Sequence, residues 1–164
     1  MKRPLKVVTI TICFLFLVNC DNFNSSQASK ASFDFHKITL NSKENTQRWY
    51  FSEQAKRGEL TFSNNCAACH GRNAEATPHW KTPDANFNYP PPPLNGSAHA
   101  WHHPLSVLGS TIYHGGAPVG GQMPSFKDSL SESEIIDVIA YFQSYWSDDI
   151  YNRWLEIEKS SRQQ

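Results

Sequence analysis

The sequence is poor in several residue types, and each shortage excludes a class of protein. It contains four cysteines and two methionines among 164 residues, and its 15 basic residues are balanced by 15 acidic ones. The lack of net positive charge argues against a nucleic-acid-binding protein. Charged residues make up only 18% of the chain and aromatic residues reach 13%, a combination that is atypical of intrinsic disorder. The length is typical of one domain.

The longest apolar run is too short to span a bilayer. Residues 7–18 form this 12-residue run behind three basic residues, whereas a membrane-spanning helix needs about 20 residues. Such an arrangement is typical of a secretory signal peptide. Leu17-Val-Asn-Cys20 is similar to the lipobox of bacterial lipoproteins, and this resemblance implies that Cys20 becomes a lipidated N-terminus. An ordinary cleaved signal peptide and an uncleaved anchor are the alternatives.

Cleavage before Cys20 would make the protein mildly acidic. Loss of Lys2, Arg3 and Lys6 leaves 12 basic and 15 acidic residues, a net charge of −3. The residues that follow are rich in Ser, Asn, Lys and Gln and lack apolar periodicity, which is typical of a flexible tether. We therefore divide the sequence into a signal peptide at 1–19, a tether at 20–45, a domain at 46–147 and a C-terminal helical extension at 148–164.

The motif Cys66-Ala-Ala-Cys69-His70 is the most informative feature of the sequence. Its spacing is typical of haem attachment, in which two thiols add to the vinyl groups of haem and the adjacent imidazole binds the iron. A thioredoxin-like dithiol normally lies in a βαβ unit, but no strongly alternating strand pattern is present here. A structural zinc site needs four ligands, so His99, His102 or His103 would have to complete it. A simple disulfide is the third alternative.

Further features follow one another around this motif. A helix predicted over Arg48–Asn64 precedes it, and Pro92-x-Leu94-x-Gly96 follows within a proline-rich loop. Met123-Pro124 then precedes an aromatic-rich terminal helix. Together, residues from about 49 to 146 resemble a class I (monohaem) cytochrome c. The resemblance implies an all-α cytochrome c fold, with three to five helices packed around one covalently bound haem c.

The resemblance also assigns roles to individual residues. It implies haem attachment through Cys66 and Cys69, with His70 as an axial iron ligand. The second nitrogen of the His70 ring would donate to the carbonyl of Pro92 or a neighbour, and such a bond orients the ligand and raises its basicity. The alternative is that this proline-rich segment is a surface loop or docks a partner.

Met123 is the candidate for the second axial ligand. It is the only methionine left after removal of the signal peptide, and class I cytochromes place their ligand methionine in a Met-Pro loop before the last helix. The alternatives are a methionine that fills a gap in the core or a histidine ligand, which would lower the reduction potential. The histidines concerned are His79, His99, His102, His103 and His114.

The first and last helices are predicted to cross. Gly58 and Phe62 lie four residues apart on one face of the first helix, and the resemblance implies that they allow close contact with the last helix near Val138 and Tyr141. A helix break at Gly58 is the alternative. The last helix is predicted to bury one face, comprising Ile135, Val138, Ile139, Phe142, Tyr145 and Trp146.

Helix ends are predicted from local signals. Ser131-x-x-Glu134 is a capping box at the start of the last helix. An earlier helix should begin near Pro104 and end at Gly115-Gly116. A further short amphipathic helix is predicted after Ser147, and the sequence leaves open whether it covers the domain or docks a partner.

The sequence therefore predicts an exported one-electron carrier rather than an enzyme. It would be lipid-anchored on the periplasmic side of a bacterial membrane and serve redox partner proteins of a respiratory or related chain. The charge of the mature chain favours partners with basic docking patches. The alternatives are a haem enzyme or sensor with an open iron site, peroxidase-like or gas-binding, and a copper-handling protein that uses His99, His102 and His103.

Overall fold

Five α-helices form the regular structure of residues 48–163, the part of the chain that the computed structural model describes. They are α1 (Ser52–Asn65), α2 (Ala67–His70), α3 (Leu105–His114), α4 (Glu132–Gln143) and α5 (Asp148–Ser161), with 3-10 turns at Ala100–His102 and Ala117–Val119. The described residues contain no strand, which confirms the predicted all-α class. The predicted signal peptide and the whole predicted tether, including Cys20, lie outside the described residues. No helix within 48–163 is both long and apolar enough to cross a membrane.

Helices α1 and α4 cross in close contact at Gly58. Gly58 is buried against the backbone of α4, where a Cβ atom would overlap the carbonyl group of Asp137 and lie 2.9 Å from Cβ of Tyr141. One turn later, the buried ring of Phe62 packs on Tyr141 with 5.1 Å between ring centroids. The predicted contact is confirmed, and α1 continues through Gly58 without a break.

Helix α1 begins at Ser52, so the prediction of a helix start at Arg48 was wrong. The residues before it are used in contacts with distant parts of the chain. The Trp49 backbone N–H donates to the Tyr151 hydroxyl at 2.7 Å, and Trp49 Nε1 donates to Gln143 Oε1 at 2.7 Å. The Arg48 guanidinium lies 4.1 Å from the centre of the Tyr151 ring. These tertiary contacts replace a helical turn.

Helix α4 buries side chains on more than the one apolar face that the sequence predicted. It begins with the predicted capping box, in which the Ser131 N–H donates to Glu134 Oε2 at 2.8 Å. It ends at Gln143, so helical spacing does not extend to Tyr145, whose 40% exposure contradicts its predicted place in the core. The Tyr145 hydroxyl instead lies 2.9 Å from the Tyr141 hydroxyl.

Helix α5 covers the domain and is longer than predicted. Its Tyr151 and Trp154 side chains are buried, and Trp154 Nε1 donates to the His103 carbonyl at 3.0 Å. Glu158, also buried, accepts a hydrogen bond from the Leu105 N–H at the start of α3. Helix α5 thus packs against the segment that leads into α3.

Replacement of Gly58 with alanine should destabilise the fold strongly. The new Cβ would overlap the Asp137 backbone, which cannot move as a flexible side chain would. Overpacking of this kind costs about 1–3 kcal/mol. We expect this loss in the free energy of unfolding, measured by urea titration, while Ser63→Ala on the exposed side of α1 should change little. Equal stability of the two variants would contradict the close crossing.

Candidate functional site

The two cysteines and the histidine of the motif lie within one helical turn. Cys66 separates α1 from α2, and its carbonyl accepts hydrogen bonds from the Cys69 N–H at 3.1 Å and the His70 N–H at 2.9 Å. Both thiols are free, with Cys66 buried and Cys69 exposed. The turn therefore presents two thiols and an imidazole from a backbone held by its own hydrogen bonds.

The protonation of Cys66 argues against a redox dithiol. Burial, and secondarily the neighbouring Cys69, raise the pKa of the Cys66 thiol to about 11. The thiol is therefore protonated at neutral pH. Reactive Cys-x-x-Cys motifs lower the pKa of a thiol to favour the nucleophilic thiolate, so the thioredoxin-like alternative lacks the environment that it needs.

The ring of His70 is held by a backbone carbonyl. Its Nδ1 lies 3.0 Å from the Pro92 oxygen, and because a carbonyl only accepts, Nδ1 carries the proton. Burial lowers the pKa of His70, although the Pro92 bond acts in the opposite direction. A neutral ring with its proton on Nδ1 leaves the Nε2 lone pair for a metal, and the described residues offer Nε2 no hydrogen-bond partner.

The Pro92 carbonyl is itself held in place by the segments around it. Ala74 is fully buried with a positive φ of 57°, and its carbonyl accepts from the Leu94 N–H at 2.8 Å. Trp146 Nε1 donates to the Leu94 carbonyl at 2.8 Å. The Tyr141 hydroxyl donates to the Arg72 carbonyl at 2.9 Å, just after the motif. Both sides of the His70–Pro92 contact are thereby tied to the end of α4.

Met123 lies in a separate loop that is bonded to the end of α3. The Met123 carbonyl accepts from the Gly116 N–H at 2.8 Å, and the Phe126 N–H donates to the Ile112 carbonyl at 3.1 Å. The Met123 side chain is partly buried and packs against the core. The loop therefore depends on α3 for its position.

The loop also requires glycine at the helix end. Gly115 has a φ of +79°, and a Cβ there would lie 2.7 Å from the Met123 carbonyl oxygen and 2.8 Å from the Ser125 nitrogen. Helix α3 ends at His114, as predicted, and Gly115 turns the chain toward the Met123 loop.

The histidine cluster does not form a metal site. No group of three or more His, Cys, Asp or Glu side chains in the described residues is arranged to hold a metal ion. The rings of His99 and His103 lie 5.8 Å apart edge to face, while His102 packs on Trp101. The described residues therefore lend no support to the copper-handling alternative. His79 and His114 are exposed, and His70 is the buried histidine of the described chain.

Comparison with known proteins identifies the class. The family model described as Cytochrome C oxidase, cbb3-type, subunit III matches residues 53–142, more than half of the chain. The chain belongs to this family and contains a c-type cytochrome domain, which confirms the resemblance to the c-type cytochromes seen in the sequence. No curated protein and no solved structure matches. The class implies electron transfer with haem c as the cofactor.

The residues present fit haem c. The candidate donors are two thiols with two residues between them, an imidazole with Nε2 available, and the thioether of Met123 in a loop anchored to α3. Sequence reasoning missed the supporting contacts at Ala74 and Arg72. A buried alanine with positive φ carries no local signal because glycine or asparagine is expected there, and the Tyr141–Arg72 bond joins residues 69 positions apart.

Replacement of Gly115 with alanine should disturb the Met123 loop. The Cβ would press on the backbone of residues 123–125, and the residue would also be strained at a positive φ. The strain alone costs about 1–3 kcal/mol. Gly120→Ala is the matched control because Gly120 has a φ of +77° but open space around its Cβ position.

We expect both variants to lose stability to urea, with the larger loss in Gly115→Ala. Hydrogen exchange at the Gly116 amide, which donates to Met123, should accelerate in Gly115→Ala alone. The same exchange rate of the Gly116 amide in both variants would show that the Met123 loop does not depend on the close packing at Gly115.

Proposed function

We propose that this chain is a monohaem electron carrier with His70 and Met123 as axial ligands of an iron in covalently attached haem c. The observation that carries the proposal is the 3.0 Å contact between His70 Nδ1 and the Pro92 carbonyl, one residue after a Cys-x-x-Cys pair. It gives a neutral, oriented imidazole next to two thiols, which is an arrangement that suits haem c better than a dithiol, zinc site or disulfide.

Each residue has a distinct part in this proposal. Cys66 and Cys69 hold the cofactor by thioether bonds, and the Pro92 carbonyl keeps the His70 ring at a constant angle. When bound, haem c supplies a one-electron couple between Fe(II) and Fe(III), with a potential raised by His/Met ligation. Met123 would supply the thioether that completes the ligand set and would thereby exclude substrate and water from the iron.

Rigidity of the ligand supports favours electron transfer over catalysis. A carrier must keep the same ligands in both oxidation states, since rearrangement would slow the transfer. The Pro92 segment is bonded through Leu94 to Trp146, just after α4. The Met123 loop is bonded to Ile112 in α3 and to Gly116 just after it. A haem enzyme or gas sensor would instead need an open position at the iron.

The partners and location belong to the same proposal. The family description names an oxidase subunit, which supports a role in a respiratory or related chain with other redox proteins as donor and acceptor. Signal-like residues 1–19 and the Cys20 motif support export and a lipid anchor on the periplasmic side. The acidic mature chain suits partners with basic docking patches.

Replacement of Met123 with alanine should open the iron site. We expect the oxidised variant to lose the weak red sulfur-to-iron charge-transfer band and the reduced variant to bind carbon monoxide readily, whereas the wild type should show the band and resist the gas. Gln122→Ala, an exposed neighbour in the same loop, should behave as wild type. If Met123→Ala retained the band, or if the wild type bound carbon monoxide as readily as the variant, the proposed ligation would be wrong.

Replacement of Cys20 with serine should release the protein from the membrane. A diacylated cysteine gives stable anchoring, whereas a single chain gives only marginal binding. We expect the haem-stained protein to move from the membrane fraction to the soluble fraction, with Cys13→Ser as a control within the signal peptide. Membrane association that persists in Cys20→Ser would exclude lipidation as the anchor.

A further inference from the structure

Helix α5 lies outside the matched range of 53–142, yet its side chains reach the start of α3. Pro104, the N-cap residue of α3, has no side chain that can accept a hydrogen bond. Without an acceptor from elsewhere, the Leu105 N–H would be buried without a partner, which is costly. Glu158 supplies this acceptor, with Oε2 2.7 Å from the Leu105 nitrogen.

The Glu158 carboxylate is built into this position. The residue is only 2% exposed, and its other oxygen accepts from Arg162 Nε at 2.6 Å. An anion at a helix N-terminus is favourable because it meets the positive end of the helix dipole. Nearby, Trp154 is fully buried and its Nε1 donates to the His103 carbonyl, so two contacts from α5 fix the entry to α3.

The other end of α3 carries the Met123 loop. The Ile112 and Tyr113 carbonyls accept from the Phe126 and Lys127 N–H groups, each at 3.1 Å. The Ser125 hydroxyl donates to the Tyr113 carbonyl at 2.7 Å. With ten residues, α3 is about 15 Å long, and its intrahelical hydrogen bonds connect its two ends. The position of its N-terminus therefore affects the loop at its C-terminus.

We propose that α5 positions the methionine loop through α3, with Glu158 as the positioning residue. The proposal rests on the proposed ligation by Met123. Loss of the Glu158 carboxylate leaves the Leu105 N–H without a partner, the first turn of α3 loosens, and the Met123 loop spends more time away from the iron. The chain beyond the matched family range thus takes part in holding the ligand set.

Competition with imidazole measures this effect directly. Imidazole binds the oxidised protein only when Met123 has left the iron, so its apparent affinity is proportional to the fraction of open loop. A buried N–H without a partner shifts such an equilibrium about ten-fold. We expect Glu158→Ala to bind imidazole about ten-fold more tightly than the wild type. Glu158→Gln, which keeps shape and an acceptor but loses the charge, should show a smaller increase.

Two controls separate positioning from general stability. Glu156→Gln also replaces a glutamate of α5 with glutamine, but at an exposed residue that is paired with Lys159 at 3.5 Å. It should leave imidazole affinity unchanged. Arg57→Ala removes an ion pair between α1 and α4, Arg57 Nε to Asp137 Oδ2 at 2.8 Å. It should lower the melting temperature without changing imidazole affinity.

The outcomes distinguish the two proposals. If the wild type resists imidazole and both Glu158 variants bind it no better, while their melting temperatures fall, α5 is only a structural cover and the positioning role is wrong. If the wild type binds imidazole as tightly as Met123→Ala, the His/Met ligation is wrong and the positioning role falls with it. Tighter binding confined to the Glu158 variants supports the positioning role.

Discussion

The backbone contact between α1 and α4 at Gly58 is the constraint on which the other parts of this structure depend. Helix α1 delivers the Cys66–His70 turn, and α4 supplies the hydroxyl of Tyr141 that holds the segment after it. A side chain at Gly58 would force these helices apart. Because Trp146 follows α4 and bonds to the Leu94 carbonyl, the same crossing also fixes the loop whose carbonyl orients His70.

The loop that carries Met123, the proposed second ligand, is held by a different set of contacts. Helix α3 ends in the Met123 loop, and its start is bonded to α5 by the buried Glu158. Arg48 and Trp49 also meet α5, at Tyr151. Residues before and after the range that the family model matches therefore contact each other beside the cytochrome domain. The contacts that hold the two proposed ligands form two groups, one on the α1–α4 crossing and one on α3 and α5.

Local patterns in the sequence predicted much of this arrangement. A few adjacent residues determine each of three features, so each can be predicted from its local sequence. They are the Cys66–His70 motif, the α4 capping box at Ser131 and the helix end at Gly115. The residues before α1 could not be placed because tertiary contacts replace their helix. The Leu105–Glu158 bond spans 53 positions, and a buried glutamate has no signature in sequence that distinguishes it from an exposed one.

The proposed function depends first on covalent attachment of one haem c to Cys66 and Cys69. Mass spectrometry under denaturing conditions, on protein matured in the periplasm, tests it most directly. We expect the polypeptide mass to be increased by one haem that survives unfolding and extraction with acidified organic solvent, and this increase should be absent when both cysteines are replaced with alanine. An unmodified polypeptide, or haem that is removed by extraction, would contradict the claim.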